Sequence, residues 1–270
     1  MTGEGLEALL ARLGALCGSI SKGSYDGANE LFELTRAGAY PAFVTALAEA
    51  FGMMMVELEG REFRLTGMVE ELRRSNERLD RVLHGTMLAL ASAIEKRDPY
   101  TAGHQSRVAA IAAAIATEMG LAEKEVDGIR IAGVLHDVGK ICVPAEILCK
   151  PGRLTDVEFN LIKLHTEAGR DILANVEFWY PIAEIAYAHH ERMDGSGYPR
   201  RLAGETIILP ARIVAVADCV EAMCNHRPYR PALGMDAALA EISRCSGIGY
   251  DAEVVAACAR LIRERRIRPQ

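Results

Sequence analysis

No run of 18 apolar residues occurs in the 270-residue chain, which argues against a membrane-spanning helix. The longest candidate, Phe43 to Val56, is short and carries Glu49. A basic leader is missing too: "MTGEGLEALLARLG" places acidic residues where a signal peptide has positive ones. A cytoplasmic protein is therefore expected. Paired cysteines are absent, since Cys17, Cys142, Cys149, Cys219, Cys224, Cys245 and Cys258 form no CxxC. Reduced thiols scattered through the core are the expectation. Positive charge is short as well, with a net charge of −6. That balance argues against broad nucleic-acid binding, and an anionic ligand would need a local positive pocket. The basic "RLIRERRIRPQ" near the C-terminus is short and reads as a solvated tail. No stretch alternates apolar and polar residues between turns as a hairpin does, and no repeat or low-complexity tract is evident.

What is present is helical. Half of the residues are apolar, enough to bury a core, and nearly every segment reads with helical period, so an all-α protein is expected. Residues 1–56 form a helical N-terminal region with breaks at "GSYDGAN" and "GAYP"; their position suggests an input or dimerisation role. Residues 57–86 carry a heptad rhythm: Leu58, Leu65, Leu72 and Leu79 share one position, and Val69, Asn76 and Leu83 the other. A polar Asn76 in such a seam sets register in parallel dimers, so a parallel homodimer through a coiled-coil linker helix is expected. The alternative is one amphipathic helix lying on its own domain. Residues 87–270 form the third region. There Pro99 ends one helix and another restarts near Thr101. "TDVE" reads as a capping box, Thr155 with Glu158, for the helix carrying His165. Pro210 suits a first helical turn.

Six of the seven histidines fall in this last region, among them the five candidates His104, His136, His165, His189 and His190. Asp137 and Asp218 sit with them at apolar helix positions. Buried imidazole and carboxylate are costly unless paired or bound to a cation. Any one of these histidines could be a satisfied core residue. Taken together they point elsewhere, because adjacent helical residues diverge by about 100°, so His136 with Asp137, and His189 with His190, suit two neighbouring ions better than one gap. A dinuclear metal site is expected, with nitrogen and oxygen ligands suited to Fe, Mn or Zn. Asp137 is the candidate bridge, beside a water held between the metals and turned to hydroxide near neutral pH. Lys140, one turn after His136, is placed on the same face to touch a phosphoryl oxygen or help the leaving group.

"HDVGK" resembles the signature of the HD superfamily of metal-dependent phosphohydrolases, and "HHERMDGSGYPRRLAGE" resembles the diagnostic element of its HD-GYP subgroup. "AIEKRDPYTAGHQSRVA", "IKLHTEAGRDIL", "ARIVAVADCVEAM" and "RPYRPAL" match in the same order, so the resemblance covers roughly residues 84–260. It implies an HD-type helical bundle that hydrolyses a cyclic dinucleotide, most commonly cyclic di-GMP, to linear pGpG or onward to GMP. Carried over by position, the metal ligands would be His104, His136, Asp137, His165, His189, His190 and Asp218. Lys140, Arg227 and Arg230 correspond to residues that contact phosphates and bases. In the loop, Gly195 and Gly197 would let backbone approach a ligand, and Tyr198 would pack at the rim or face a guanine. The 194–199 loop is in the family a docking surface for diguanylate cyclase domains. Members with a third metal carry a glutamate four residues before the first ligand histidine; here Tyr100 stands there, so two metals, Fe or Mn, are expected. Two further readings stay open: a different nucleotide substrate such as 3′,3′-cyclic GMP-AMP or a monophosphate, and a catalytically silent sensor module.

Overall fold

A computed structural model describes residues 3–20, 23, 25, 28–36, 40–97, 103–150, 152–225, 232–264 and 266–267. Tyr100, Thr101, Arg227 and Arg230 lie outside these. The described residues form helices and, apart from isolated bridges pairing Asp194 with Ala203 and Ser246 with Tyr250, no strand. The expected all-α class is borne out. None of the described helices is long and apolar enough to cross a membrane.

The chain divides into two compact units, Met1–Arg81 and Val82–Gln270. In the first, α1 (Gly3–Ile20), α2 (Ala28–Leu34) and the start of α3 (Ala42–Glu95) enclose their own core. Leu9, Leu13 and Leu16 on one face of α1 meet Leu31 and Leu34 of α2 and Val44, Ala48 and Met55 of α3. α3 is a single helix of 54 residues, so the heptad segment 57–86 lies wholly inside it and neither of its ends is a helix terminus. Leu58, Leu65, Val69, Leu72, Leu79 and Leu83 are exposed on this chain.

In the second unit α4 (His104–Glu118) and α5 (Glu123–Leu135) pack closely, because α4 turns Ala109, Ala112, Ala113 and Ala116 inward and small side chains let two backbones approach. α10 (Leu209–Cys224) lies against α4, with Pro210 in its first turn as expected. A short 3₁₀ turn, Val138–Cys142, follows α5 and leads to α6 (Ala145–Leu148), α7 (Asp156–Lys163), α8 (His165–Leu173) and α9 (Ile182–Ala188). α11 (Met235–Arg244) and α12 (Ala252–Arg263) complete the core, α12 being capped by Asp251.

Two local expectations are corrected. The capping box is present, with the Glu158 amide donating to Thr155 Oγ1 and the Thr155 amide to Glu158 Oε2, but it starts α7, whereas His165 opens α8. The chain breaks between them at Leu164, whose amide reaches back only three residues, to Leu161. Among the described side chains six cysteines are free, yet of these only Cys258 is buried; Cys142 is exposed and Cys149, Cys219, Cys224 and Cys245 are half-buried.

Candidate metal centre

Each histidine of the site sits where a helix starts or stops. His104 is the first residue of α4, His136 caps α5, His165 opens α8, and His189 and His190 directly follow α9. At such ends consecutive residues leave helical geometry and diverge: His136 is still helical at φ −55, while Asp137 has moved to φ −99, ψ 9. Gly139 makes the meeting of two elements possible, because a Cβ there would overlap the carbonyl of His165 and the amide of Gly169. The 3₁₀ turn therefore lies directly on the backbone of α8. Lys140 reaches the site from this turn rather than along α5, which corrects its expected place one helical turn after His136. Its Nζ lies 2.6 Å from Asp137 Oδ2.

Asp137 stands at the centre, 3 % exposed. Its Oδ1 faces His165 Nε2 at 3.3 Å and His189 Nε2 at 3.9 Å, while Oδ2 faces His136 Nε2 at 3.4 Å and His104 Nε2 at 3.8 Å. One carboxylate thus shows one oxygen to each pair of histidines. Two donor groups follow, Asp137 with His165, His189 and His190, and Asp137 with His104 and His136, the atoms in each lying within 4.8 Å of one another. Asp218, from α10, belongs to neither group but brings Oδ1 within 3.4 Å of His104 Nε2.

The protonation pattern is set by the backbone. Nδ1 of His136, His165 and His189 donates to the carbonyls of Gly133, Ile162 and Ala186 at 2.8, 2.6 and 2.7 Å. A carbonyl can only accept, so these Nδ1 atoms carry a proton, and in the neutral form of each ring the lone pair is at Nε2, facing the site. Burial pushes His189 and His190 well below the usual imidazole range, with neighbouring histidines adding to it, and burial lowers His165 as well. His136 moves up, because burial is outweighed by the Asp137 carboxylate beside it. Burial would raise Asp137, yet Lys140 and His136 hold it well below the ordinary carboxylate range. His136 Nε2 and Asp137 Oδ1 are buried without a hydrogen-bond partner. Unpartnered acceptors in an enclosed site are costly, and a cation is the group that would satisfy them together. The donor set, imidazole and carboxylate without thiolate, fits a borderline first-row divalent ion.

The loop after His190 folds back on itself. The buried Glu191 carboxylate accepts from the amides of Arg200 and Leu202 at 2.8 and 3.0 Å. Gly197 is buried against its own loop, where a Cβ would come within 2.5 Å of Arg192 N and Glu191 Cα. Tyr198 lays its ring 4.8 Å from that of His190 and borders a cleft shared with Lys163, Glu167, Ser196 and Arg201. Burial raises the Tyr198 phenol, so it is neutral throughout the physiological range.

The sequence profile of the HD domain family matches residues 89–254. The chain belongs to the HD domain family. The family expected from the motifs is borne out. Among curated relatives, the chain is 42 % identical over 215 residues to the cyclic di-GMP phosphodiesterase response regulator RpfG of Xanthomonas campestris pv. campestris, covering 79 % of this chain and 54 % of that protein. It is 46 % identical over 172 residues to a cyclic di-GMP phosphodiesterase of Thermotoga maritima, covering 63 % and 47 %. A 3′3′-cGAMP-specific phosphodiesterase of Vibrio cholerae is 36 % identical over 178 residues, covering 66 % and 39 %. The chain thus spans about half the length of these relatives or less. A crystal structure of a cyclic GMP-AMP-specific phosphodiesterase of V. cholerae shares the fold, with a TM-score of 0.53 at 18 % identity over 67 % of this chain and 49 % of that one. HD-domain phosphohydrolases bind divalent metals, and the His/Asp cluster described above is of that kind.

The HD domain also holds a group that motif reading overlooks. Glu221, 2 % exposed, presents Oε2 to His104 Nδ1, while its Oε1 accepts from Arg107 Nε at 2.7 Å and Asn225 Nδ2 at 2.8 Å. Arg107 and His104 together outweigh burial and lower the Glu221 carboxyl. Its signal in the sequence is spacing: Glu221 stands three residues after Asp218, on the same face of α10.

Proposed function

We propose that this HD domain hydrolyses a phosphodiester bond of a cyclic dinucleotide, cyclic di-GMP first, with two divalent ions, Fe or Mn, as cofactors. The observation that carries the reading is Asp137, whose two oxygens face different pairs of histidines. In it His104, His136, Asp137, His165, His189, His190 and Asp218 hold the metals. When bound, such ions supply a water acidified to near neutrality and positive charge against the phosphoryl oxygens.

This chain's own residues do the rest. His136, His165 and His189 keep their proton at Nδ1 and offer Nε2. Lys140, 2.6 Å from Asp137, is the side chain placed to meet a phosphoryl oxygen as charge builds there. Tyr198 offers an aromatic face beside His190 for a base, and Lys163 and Arg201 give its cleft the local positive charge that the acidic chain otherwise lacks. Arg227, Arg230 and Gly197 complete the substrate contacts in this proposal. Exposed leucines along 57–86 support a parallel homodimer through α3, the 194–199 loop is the surface proposed to meet a diguanylate cyclase domain, and a cytoplasmic location goes with that partner.

A second substrate, 3′,3′-cyclic GMP-AMP, is favoured by the similarity to the V. cholerae relative so named. Purified protein loaded anaerobically with Mn²⁺ is assayed side by side on both dinucleotides, with product analysis separating pGpG from GMP. Turnover of cyclic di-GMP that follows metal content supports the proposal; two bound ions without turnover of either dinucleotide would overturn it.

A further inference from the structure

The histidines around Asp137 are held in two ways. His136, His165 and His189 each lean on a carbonyl three residues back in their own segment. His104 depends on side chains from other elements. Its Nδ1 faces Glu221 of α10, and the backbone on both sides of it is held by Glu95, the last residue of α3. The Gly103 amide donates to Glu95 Oε2 at 2.9 Å and the Gln105 amide to Oε1 at 3.1 Å. A single carboxylate therefore straddles His104 and caps α4 from outside, where amides and the helix dipole favour negative charge and Gly103 supplies no side-chain cap. Two residues beyond α3, the Arg97 guanidinium donates to the carbonyls of Ile141 and Val143, just after Lys140. Glu95 at the end of α3 and Arg97 just beyond it thus grip both segments that feed the Oδ2 side of Asp137.

We propose that Glu95 is a positioning residue of the metal centre: it places His104 through the two flanking amides, so the cation position served by His104 depends on where α3 ends. The inference rests on the metal reading above.

Its test is Mn²⁺ titration calorimetry of the full chain as wild type, Glu95→Gln, Glu95→Ala and Asp251→Ala. Asp251 is a matched control, because it caps α12 by accepting from the amides of Glu253 and Val254 at 2.8 and 3.3 Å. The expected result is two binding steps in wild type and an affinity about ten-fold weaker in one step only for Glu95→Ala, the size usual for a residue that orients a ligand. Glu95→Gln, which keeps one accepting oxygen, should fall between, and it carries the comparison if the alanine variant does not fold. Asp251→Ala should lose thermal stability yet titrate as wild type. With Co²⁺ as probe, the visible absorption of one of the two ions should shift in Glu95→Ala. Unchanged titration in both Glu95 variants, or equal weakening of both steps in parallel with lost stability, would overturn the inference while leaving the metal reading intact. A wild type that binds no Mn²⁺ would remove both.

Discussion

His165 and His189 point their Nε2 atoms at each other across 3.5 Å. Both rings spend their proton at Nδ1 on a carbonyl, and both are neutral because burial lowers their basicity. Two lone pairs then face one another with no hydrogen between them. A cation held by both rings would relieve that repulsion, which is why the pair reads as part of a metal site and not as a core contact.

Metal removal should make the fold sensitive to mild acid. His165, His189 and His190 are held below their unfolded value of about 6.5. As pH falls below that value the unfolded chain takes up protons that the fold refuses, so stability drops. His136 is raised and works in the opposite sense, leaving the three lowered rings to decide the sign. Each net proton is worth about 1.4 kcal/mol per pH unit. Urea midpoints in EDTA should be lower at pH 5.5 than at pH 7.5, and excess Mn²⁺ should restore them; equal midpoints would contradict the buried neutral rings.

Asp137→Ala removes the one group common to both donor clusters. Bound metal should fall from two ions to one or none, and turnover of cyclic di-GMP by roughly a thousand-fold or more, as for groups that organise the reacting centre directly. Metal analysis beside the rate measurement checks both. Native turnover in this variant would sink the proposed activity.

Glu221→Gln keeps an accepting oxygen beside His104 but loses the charge shared with Arg107. Metal affinity in a chelator competition should weaken by about 10- to 100-fold, with a smaller change in melting temperature than Glu221→Ala, which strands Arg107 and His104 without their carboxylate. An unaltered affinity would reduce Glu221 to a packing role.

Leu72→Lys places a charge in the middle of the α3 seam, on a side chain that is 63 % exposed in the single chain. Sedimentation equilibrium should show wild type at twice the chain mass and the variant shifted toward one, with unchanged helical content by circular dichroism. A wild-type monomer would remove the dimer proposal.

Much of the site was legible because polar residues at apolar helical positions stand out. His136 and Asp137 interrupt "AGVL", His189 and His190 end "AEIAYA", and Thr155 with Glu158 announces a helix start. These features are local, and local geometry carries them. What escaped was set by helix ends. Helical period continued past Leu135 puts Lys140 over His136, whereas α5 stops there and a 3₁₀ turn carries Lys140 back to Asp137. Likewise one helix was expected through His165, and a break at Leu164 separates α7 from α8. Glu95 and Glu221 escape a local reading: Glu221 stands three residues after Asp218, but it lies 117 residues from His104 and nothing in the chain pairs it with that ring.

Sequence alone determined the kind of site: nitrogen and oxygen donors without thiolate, too many polar groups for a plain core, and a helical frame to hold them, because residue chemistry and the 3.6-residue period are written in the chain. Only the tertiary structure decided that Asp137 divides its oxygens between two histidine pairs and that Glu221 and Glu95 hold His104. Those relations depend on how the end of α3 packs with α4, α8, α9 and α10 within the second unit, and packing between helices is set by side-chain fit over the whole core, which no single helix's periodicity contains.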